Sequence, residues 1–316
     1  MAMKQVLEIY DILENAVIEE KTLKSYFGDK GLDESEIEFY QVKGEKGETT
    51  FVKILIGGRD GKNRGGEAPT LGIIGRLGGI GARPAEMGLV SDADGAIVAL
   101  ASASKILDLR LKGDWMRGDT VITTHLCPTS PVIPHHPVPF MDAPVSIETM
   151  NAYEVDPRMD AILTVDTTKG NRIINSRGFA ISPTVREGYI LRVSEDLLDI
   201  MQNVTGKLPR VFAVTTQDIT PYGNGIFHLN SIMQPSTATH VPVVGVAITT
   251  AVAVPGCATG ANQCFDLEMA VRFVVEVANA WGKGRCAFHD EVEFQKLISL
   301  YGSMEHFKTC GKKRKG

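Results

Sequence analysis

A chain of 316 residues with a formal net charge of -5, 43% hydrophobic and 22% charged, has ordinary globular composition and enough length to bury most of its apolar surface without covalent staples. Its mild acidity argues against a nucleic-acid partner, which would need a basic face. The 5 cysteines, Cys127, Cys257, Cys264, Cys286 and Cys310, are odd in number with no CxxC pair, which excludes a disulfide framework and a four-cysteine zinc site.

Residues Met1–Tyr10 show no apolar run after a basic start, so no signal peptide is expected. No stretch reaches about 18 uninterrupted apolar residues, the length a membrane span needs. Free thiols suit a reducing compartment, and the expected location is the cytoplasm. Val6, Ile9, Tyr10, Leu13 and Val17 recur at spacings of three and four and predict an N-terminal helix. Ile37–Val42 and Thr49–Ile56 read as a hairpin across Lys43-Gly44-Glu45-Lys46-Gly47. The Gly- and charge-rich segment 57–68 reads as a loop. Leu71–Ile74 predicts a short buried strand running into the Gly-rich stretch Gly75–Pro84.

A strong helix follows, with Ile97, Leu100, Ala101, Leu107 and Leu111 on one face. Ser91, three residues before Asp94, predicts a side-chain cap, and Asp92 and Asp94 then lie where the helix dipole favours negative charge. Thr120–Thr124 reads as a strand. The proline-rich segment Pro128–Pro144 cannot be helix or central strand and predicts a long stiff loop of the kind that carries function. Ala161–Val165 reads as a buried strand ending at Asp166. Ser194–Val204 is a predicted helix with a serine cap and Gly206 as its stop. Arg210–Thr216 reads as a strand, Pro242–Val254 as a long apolar strand or a pair, and Asp266–Trp281 as the last clear helix.

Apolar strands alternating with amphipathic helices predict a largely parallel sheet covered on both faces. With no internal repeat or linker, one α/β domain over 1–316 is expected, ending in a short basic tail over 308–316.

In open α/β sheets ligands gather at the carboxyl ends of the strands. Three segments qualify here: Gly75–Arg83, His125–Pro128 and Asp166–Gly170. Two carboxylates, Asp92 and Asp166, with the imidazole of His125 and either His135 or His136, form a set suited to zinc, iron or manganese. The bland alternative is that Asp92 caps a helix and His125 is a satisfied polar residue at a strand end. Cys127, two residues after His125, would share a strand face with it and is a candidate nucleophile with His125 as base; His135 is a further catalytic candidate. Its favoured reading is a small buried hydrophobe. The stretch Gly75–Gly81 matches neither GxGxxG nor a P-loop, and instead predicts tight bending or close backbone approach. Arg76 and Arg83 are candidates to clamp a substrate carboxylate or phosphate.

Taken together, Ser91-Asp92-Ala93-Asp94-Gly95-Ala96 with the helix after it, Gly113–Thr124, Ala161–Thr168, and Pro242–Val254 with Asp266–Trp281 resemble, as an order of elements, the co-catalytic zinc exopeptidases. The chain also looks similar to an uncharacterised prokaryotic family associated with peptide-transport genes. The resemblance implies a three-layer α/β/α domain with a mixed, largely parallel central sheet, phosphorylase/hydrolase-like, and a homo-oligomer. It carries Asp92 and Asp166 over as metal ligands. Where that superfamily has HxD, this chain has Arg76-Leu77-Gly78; where it has Glu-Glu, His125-Leu126-Cys127-Pro128; where it has a late His, Cys257-Ala258-Thr259-Gly260. The resulting expectation is a divergent hydrolase using zinc or manganese on a small peptide or amino-acid-derived amide. The rival expectations are a non-catalytic binding or assembly protein that keeps the fold, and a Cys127-dependent amidase.

Overall fold

The structure, a computed structural model, describes residues 1–76, 78–215, 222 and 224–309; the predicted basic run Gly311–Gly316 lies outside the described residues. Two helices, α1 (Met3–Leu13) and α2 (Glu20–Gly28), precede the hairpin β1 (Ile37–Gly44) and β2 (Gly47–Ile56). Then come β3 (Leu71–Gly75), α3 (Asp94–Leu111), β4 (Thr120–Leu126), the two-residue strands β5 (Val132–Ile133) and β6 (Phe140–Met141), α4 (Ile147–Glu154) and β7 (Ala161–Thr168). The remainder comprises β8 (Gly178–Ile181), β9 (Val185–Arg186), β10 (Tyr189–Ile190), α5 (Glu195–Thr205), β11 (Val243–Thr249), α6 (Cys264–Gly282) and α7 (Glu291–Tyr301).

The main sheet runs β1-β2-β4-β3-β7-β11-β9-β10, with β8 also on β11. Its centre is parallel: β3 pairs with β4 and β7, and β7 with β11. The flanks are antiparallel, giving the expected mixed sheet. Alternation along each strand divides its apolar side chains between two cores. On the first face Ile73, Ile122, Leu163 and Val246 meet α1, α3 and α6. On the second, Ile74, Val121, Ile162 and Ala247 meet Phe212, Leu229, Ile232 and Met233. Helix α3 is buried along most of its length, and fully buried Ile97, Leu100 and Leu107 each contribute about 2 kcal/mol of hydrophobic stabilisation.

Some expectations need correction. Helix α3 begins only after a 3-10 turn at Ser91–Ala93, and Ser91 supplies no side-chain cap; its backbone N–H is held by Ala258 O at 2.9 Å. Val17 lies beyond the end of α1 and is exposed. The segment 210–215 is not a strand: it makes a single bridge, Val211 to Ile181. Phe212 and Val214 are buried all the same, so packing rather than strand pairing satisfies them; Thr216 lies outside the described residues. The apolar run from Pro242 forms one strand that stops at Thr249. Pro128–Pro144 is the expected irregular loop, pinned by the β5–β6 pair.

Helix α5 matches its sequence signals. Ser194 Oγ accepts the Leu197 N–H, and Gly206 closes the helix at φ +65°. Ser194→Ala is expected to cost about 1 kcal/mol, read as a lower urea midpoint at unchanged slope. Among the described residues, no helix is long and apolar enough to cross a membrane.

Candidate active site at the crest of the sheet

The chain leaves β3 for β4 on one side and later returns to β7 on the other. The carboxyl end of β3 is therefore a topological switch point, where α/β sheets open a crevice. Register fixes what stands there. Ile74 is opposite Thr123 on β4 and Thr164 on β7. Two residues further along, with side chains on the same face, Arg76 stands between His125 and Asp166. Adjacent strands are about 4.8 Å apart, so an imidazole, a guanidinium and a carboxylate lie abreast, with Phe51 opposite His125 at one end and Ala247 opposite Asp166 at the other.

Helix α4 covers this row and adds Glu154, its last residue. One carboxylate oxygen accepts from Arg76 Nη1 at 2.7 Å, and the other is 2.6 Å from His125 Nδ1. Arg76 Nη2 donates to Gln234 Oε1 at 3.2 Å. Arg76 and Glu154 are 0% exposed and His125 is 1% exposed. A proton on Nδ1, shared with Glu154, would leave the lone pair of a neutral ring on Nε2.

The start of α3 brings further acids to the same place. A Cβ on Gly95 would lie 2.6 Å from Val165 O and 2.7 Å from Arg76 O, so only glycine lets the helix approach the crest this closely. Asp92 reaches it with its backbone N–H on Gly256 O at 3.0 Å. Asp94 is bound by Lys169 and, at 2.6 Å, by Asn262 Nδ2.

Burial, followed by the charge of Asp94, pushes the Asp92 carboxyl up to about 7, with Lys169 opposing. Burial, followed by the charge of Asp92, holds Asp166 well above the usual carboxylate range, against the Thr167 N–H and Arg76. Burial also raises Asp94, opposed by Lys169 and Asn262. Asp166 thus feels the charge of Asp92, and both carboxyls resist ionisation.

A cleft of about 110 Å³ opens over this cluster, lined among others by Asp92, His135, Thr167, Lys169, Asn230 and Ser231. A second, smaller cavity is lined by both Asp92 and His125. His135, on the proline-rich loop, donates through Nδ1 to Val138 O at 3.1 Å. Asp92 therefore lines both openings, with His135 at the cleft and His125 at the smaller cavity, while Asp166 lines neither.

The other candidates are placed differently. His136 is exposed on the loop. Cys127 is buried just past the end of β4, where its thiol donates to Glu48 O at 3.4 Å, whereas His125 turns to Glu154. Arg76 is committed to an internal carboxylate. Arg83 ties backbone together, with Nη2 on Glu14 O at 2.8 Å and Nη1 on Pro128 O at 3.5 Å. Glu154, Lys169, Asn262 and Gln234 were not singled out in the sequence. A lysine three residues beyond Asp166 is a signal that could have marked Lys169; Glu154 has none, because it depends on a short helix folding back over the sheet.

Among the described residues, one set of three His, Cys, Asp or Glu side chains has its ligand atoms all within 4.8 Å of one another: Glu187, His240 and Glu305. It is mostly exposed, and Lys308 Nζ also contacts His240. It lies near Val243, which opens β11, at the end of the parallel strands opposite the crest.

The fold is similar to that of solved structures. A tomato leucine aminopeptidase mutant matches with TM-score 0.50 and 8% identity, over 87% of this chain and 61% of that one. A glutaminyl cyclase from an Acidobacteriales bacterium matches with TM-score 0.48 and 13% identity, over 90% and 94%. The Bacillus subtilis YXEP protein, described as a dinuclear metal binding peptidase from the M20 family, matches with TM-score 0.46 and 10% identity, over 89% and 99%. At such identities the likeness concerns the fold alone. No curated protein matches the sequence. A family model matches residues 40–311, and by that match the chain belongs to the family described as "Protein of unknown function (DUF1177)".

Proposed function

We propose that this protein is a divergent metal-dependent hydrolase acting on a small peptide or amide in the crest cleft. The observation that carries the reading is His125. Metal-binding imidazoles typically give their second N–H to a carboxylate, and a Glu154 oxygen lies 2.6 Å from His125 Nδ1. Nε2 then serves as ligand. Asp92, which lines a cavity with His125, and Asp166, which feels the charge of Asp92, would complete the set only by drawing together around the ion, because the ligand atoms of the three do not all lie within 4.8 Å of one another. Two carboxylates and an imidazole suit zinc or manganese, and a cation would favour the ionised carboxylates that burial disfavours. The fold shared with a leucine aminopeptidase also supports the reading.

A bound ion would polarise a scissile carbonyl and lower the pKa of a bound water. The chain's own residues supply the rest. Glu154 orients the imidazole, Lys169 and Asn262 hold Asp94 behind Asp92, and His135 at the cleft mouth is the candidate to move a proton to the leaving amine.

The test is elemental analysis of the purified protein. Stoichiometric zinc or manganese is expected, and Asp92→Asn should abolish it. Because burial already disfavours the ionised form of Asp92, the metal-free Asp92→Asn protein should unfold at the same urea concentration as the metal-free parent or higher. Wild-type protein that neither carries nor takes up metal would overturn the reading. One observation favours a second reading, a binding protein that keeps the fold: the Arg76–Glu154 pair occupies the centre of the row. That reading expects ligand binding without turnover across a panel of small peptides and amides.

A further inference from the structure

A second set of ligands meets far from the crest. Glu187, His240 and Glu305 come from three separate segments: the turn between β9 and β10, the stretch before β11, and the 3-10 turn Glu305–Phe307. Pairing of Arg186 with Tyr189 leaves Glu187 and Gly188 as a two-residue turn. Both have positive φ, +49° and +83°, the conformation that fits the twist of a tight hairpin. The hairpin lies against the C-terminal segment. A Cβ on Gly188 would lie 2.8 Å from Met304 O, and Tyr189 Oη donates to Gly302 O at 2.7 Å.

The three side chains converge as closely as a small ion requires. His240 Nδ1 is 2.9 Å from a Glu305 oxygen and 3.9 Å from a Glu187 oxygen, and all three ligand atoms lie within 4.8 Å of one another. Bonds of about 2.0–2.2 Å to a tetrahedral ion set neighbouring ligands about 3.3–3.6 Å apart, so small movements of exposed side chains close the triangle. One imidazole and two carboxylates suit zinc, with water in the fourth position. The other ring nitrogen, Nε2, is contacted by Lys308 Nζ. An ammonium only donates, so that contact needs the ring proton on Nδ1, facing Glu305. A metal needs the opposite tautomer, with the lone pair on Nδ1 and the proton on Nε2. We infer that Glu187, His240 Nδ1 and Glu305 form an exchangeable zinc site that clamps the C-terminal segment to the β9–β10 hairpin, and that Lys308 competes with the ion for His240. The site is independent of the crest, and its failure would leave the hydrolase reading untouched.

Equilibrium zinc titration of the full chain tests it, in the Asp92→Asn background that removes a crest ligand. An exposed three-ligand site exchanges its ion with the buffer, so it is read by titration and not by what the purified protein retains. One saturable equivalent per chain is expected, lost in His240→Ala and in Glu305→Gln. Hydrogen exchange should slow on zinc addition at the amides of Phe307 and Lys308, which bond to Met304 O at 2.9 Å and Glu305 O at 2.8 Å. Lys308→Gln offers Nε2 an acceptor in place of a donor and should bind zinc about ten-fold more tightly, the low end of the usual effect of a partner behind a metal-binding histidine. Zinc uptake that does not saturate, or that survives His240→Ala, would overturn the site. Unchanged or weaker binding by Lys308→Gln would refute the competition assigned to Lys308.

Discussion

Replacing Glu154 by glutamine is expected to cost about 3–5 kcal/mol of folding free energy, the range for breaking a buried ion pair by removing one partner. The carboxylate is 0% exposed and serves two donors, Arg76 Nη1 and His125 Nδ1. Glutamine keeps the shape but removes the charge, and the guanidinium stays where it is. Arg76 Nε already lacks a partner inside the protein, so no spare acceptor waits to take the load, and the cost is that of an uncompensated buried charge rather than of one neutral hydrogen bond. Urea unfolding followed by the fluorescence of Trp115 and Trp281 would read it. The double variant Arg76→Met with Glu154→Gln should recover much of the loss, because buried pairs are often replaceable by apolar groups of similar volume. The same glutamine should weaken metal binding about 10–100-fold, the usual effect of losing the carboxylate behind a metal-binding histidine. An unchanged midpoint would mean that the pair is not formed in solution.

How much of this was legible in the sequence depended on whether a feature was local. The buried strands β3, β7 and β11 announce themselves as short apolar runs bounded by glycine, proline or a carboxylate. Helix α5 carries its own start and stop in Ser194 and Gly206. The crest itself could be anticipated, because ligands in such sheets gather at strand ends, and Asp166 and His125 sit there in the sequence. Helix α4 could not. It is only 8 residues long, with no long apolar stripe, and its position over the second face is a tertiary fact. Its last residue therefore passed unnoticed although it organises the site. The roles of Arg76 and Arg83 were equally out of reach: an arginine after a strand reads as a surface clamp until the coordinates show an internal carboxylate or backbone carbonyls as its partners. The false strand at 210–215 has the opposite cause. β-branched and aromatic residues there satisfy the propensity for a strand, but the segment buries Phe212 and Val214 with a single bridge.

The close-approach role expected of the Gly75–Gly81 stretch gives the second large effect. A Cβ on Gly78 would lie 1.4 Å from the His125 carbonyl oxygen and 2.5 Å from its carbon. The obstacle is backbone, so no side-chain rotation relieves it. Relief requires the segment after β3 to part from the end of β4. That would strain or break the Cys127 N–H bond to Gly78 O, now 2.8 Å, and drag His125 away from Glu154. Gly78→Ala is therefore expected to cost roughly 3 kcal/mol or more, the upper end of overpacking penalties, and to lose metal binding with it. Gly79→Ala is the internal control. There the nearest atoms are Ser130 Oγ at 3.0 Å and Met141 Cε at 3.3 Å, the ends of side chains that can turn aside, so a loss of about 1 kcal/mol is expected, at the low end of the same range. Unfolding midpoints and metal uptake measured side by side on the two variants decide the matter. If the two alanines behave alike, the crest is not held by the contact between Gly78 and the His125 carbonyl, and the placement of His125 must rest on Glu154 alone.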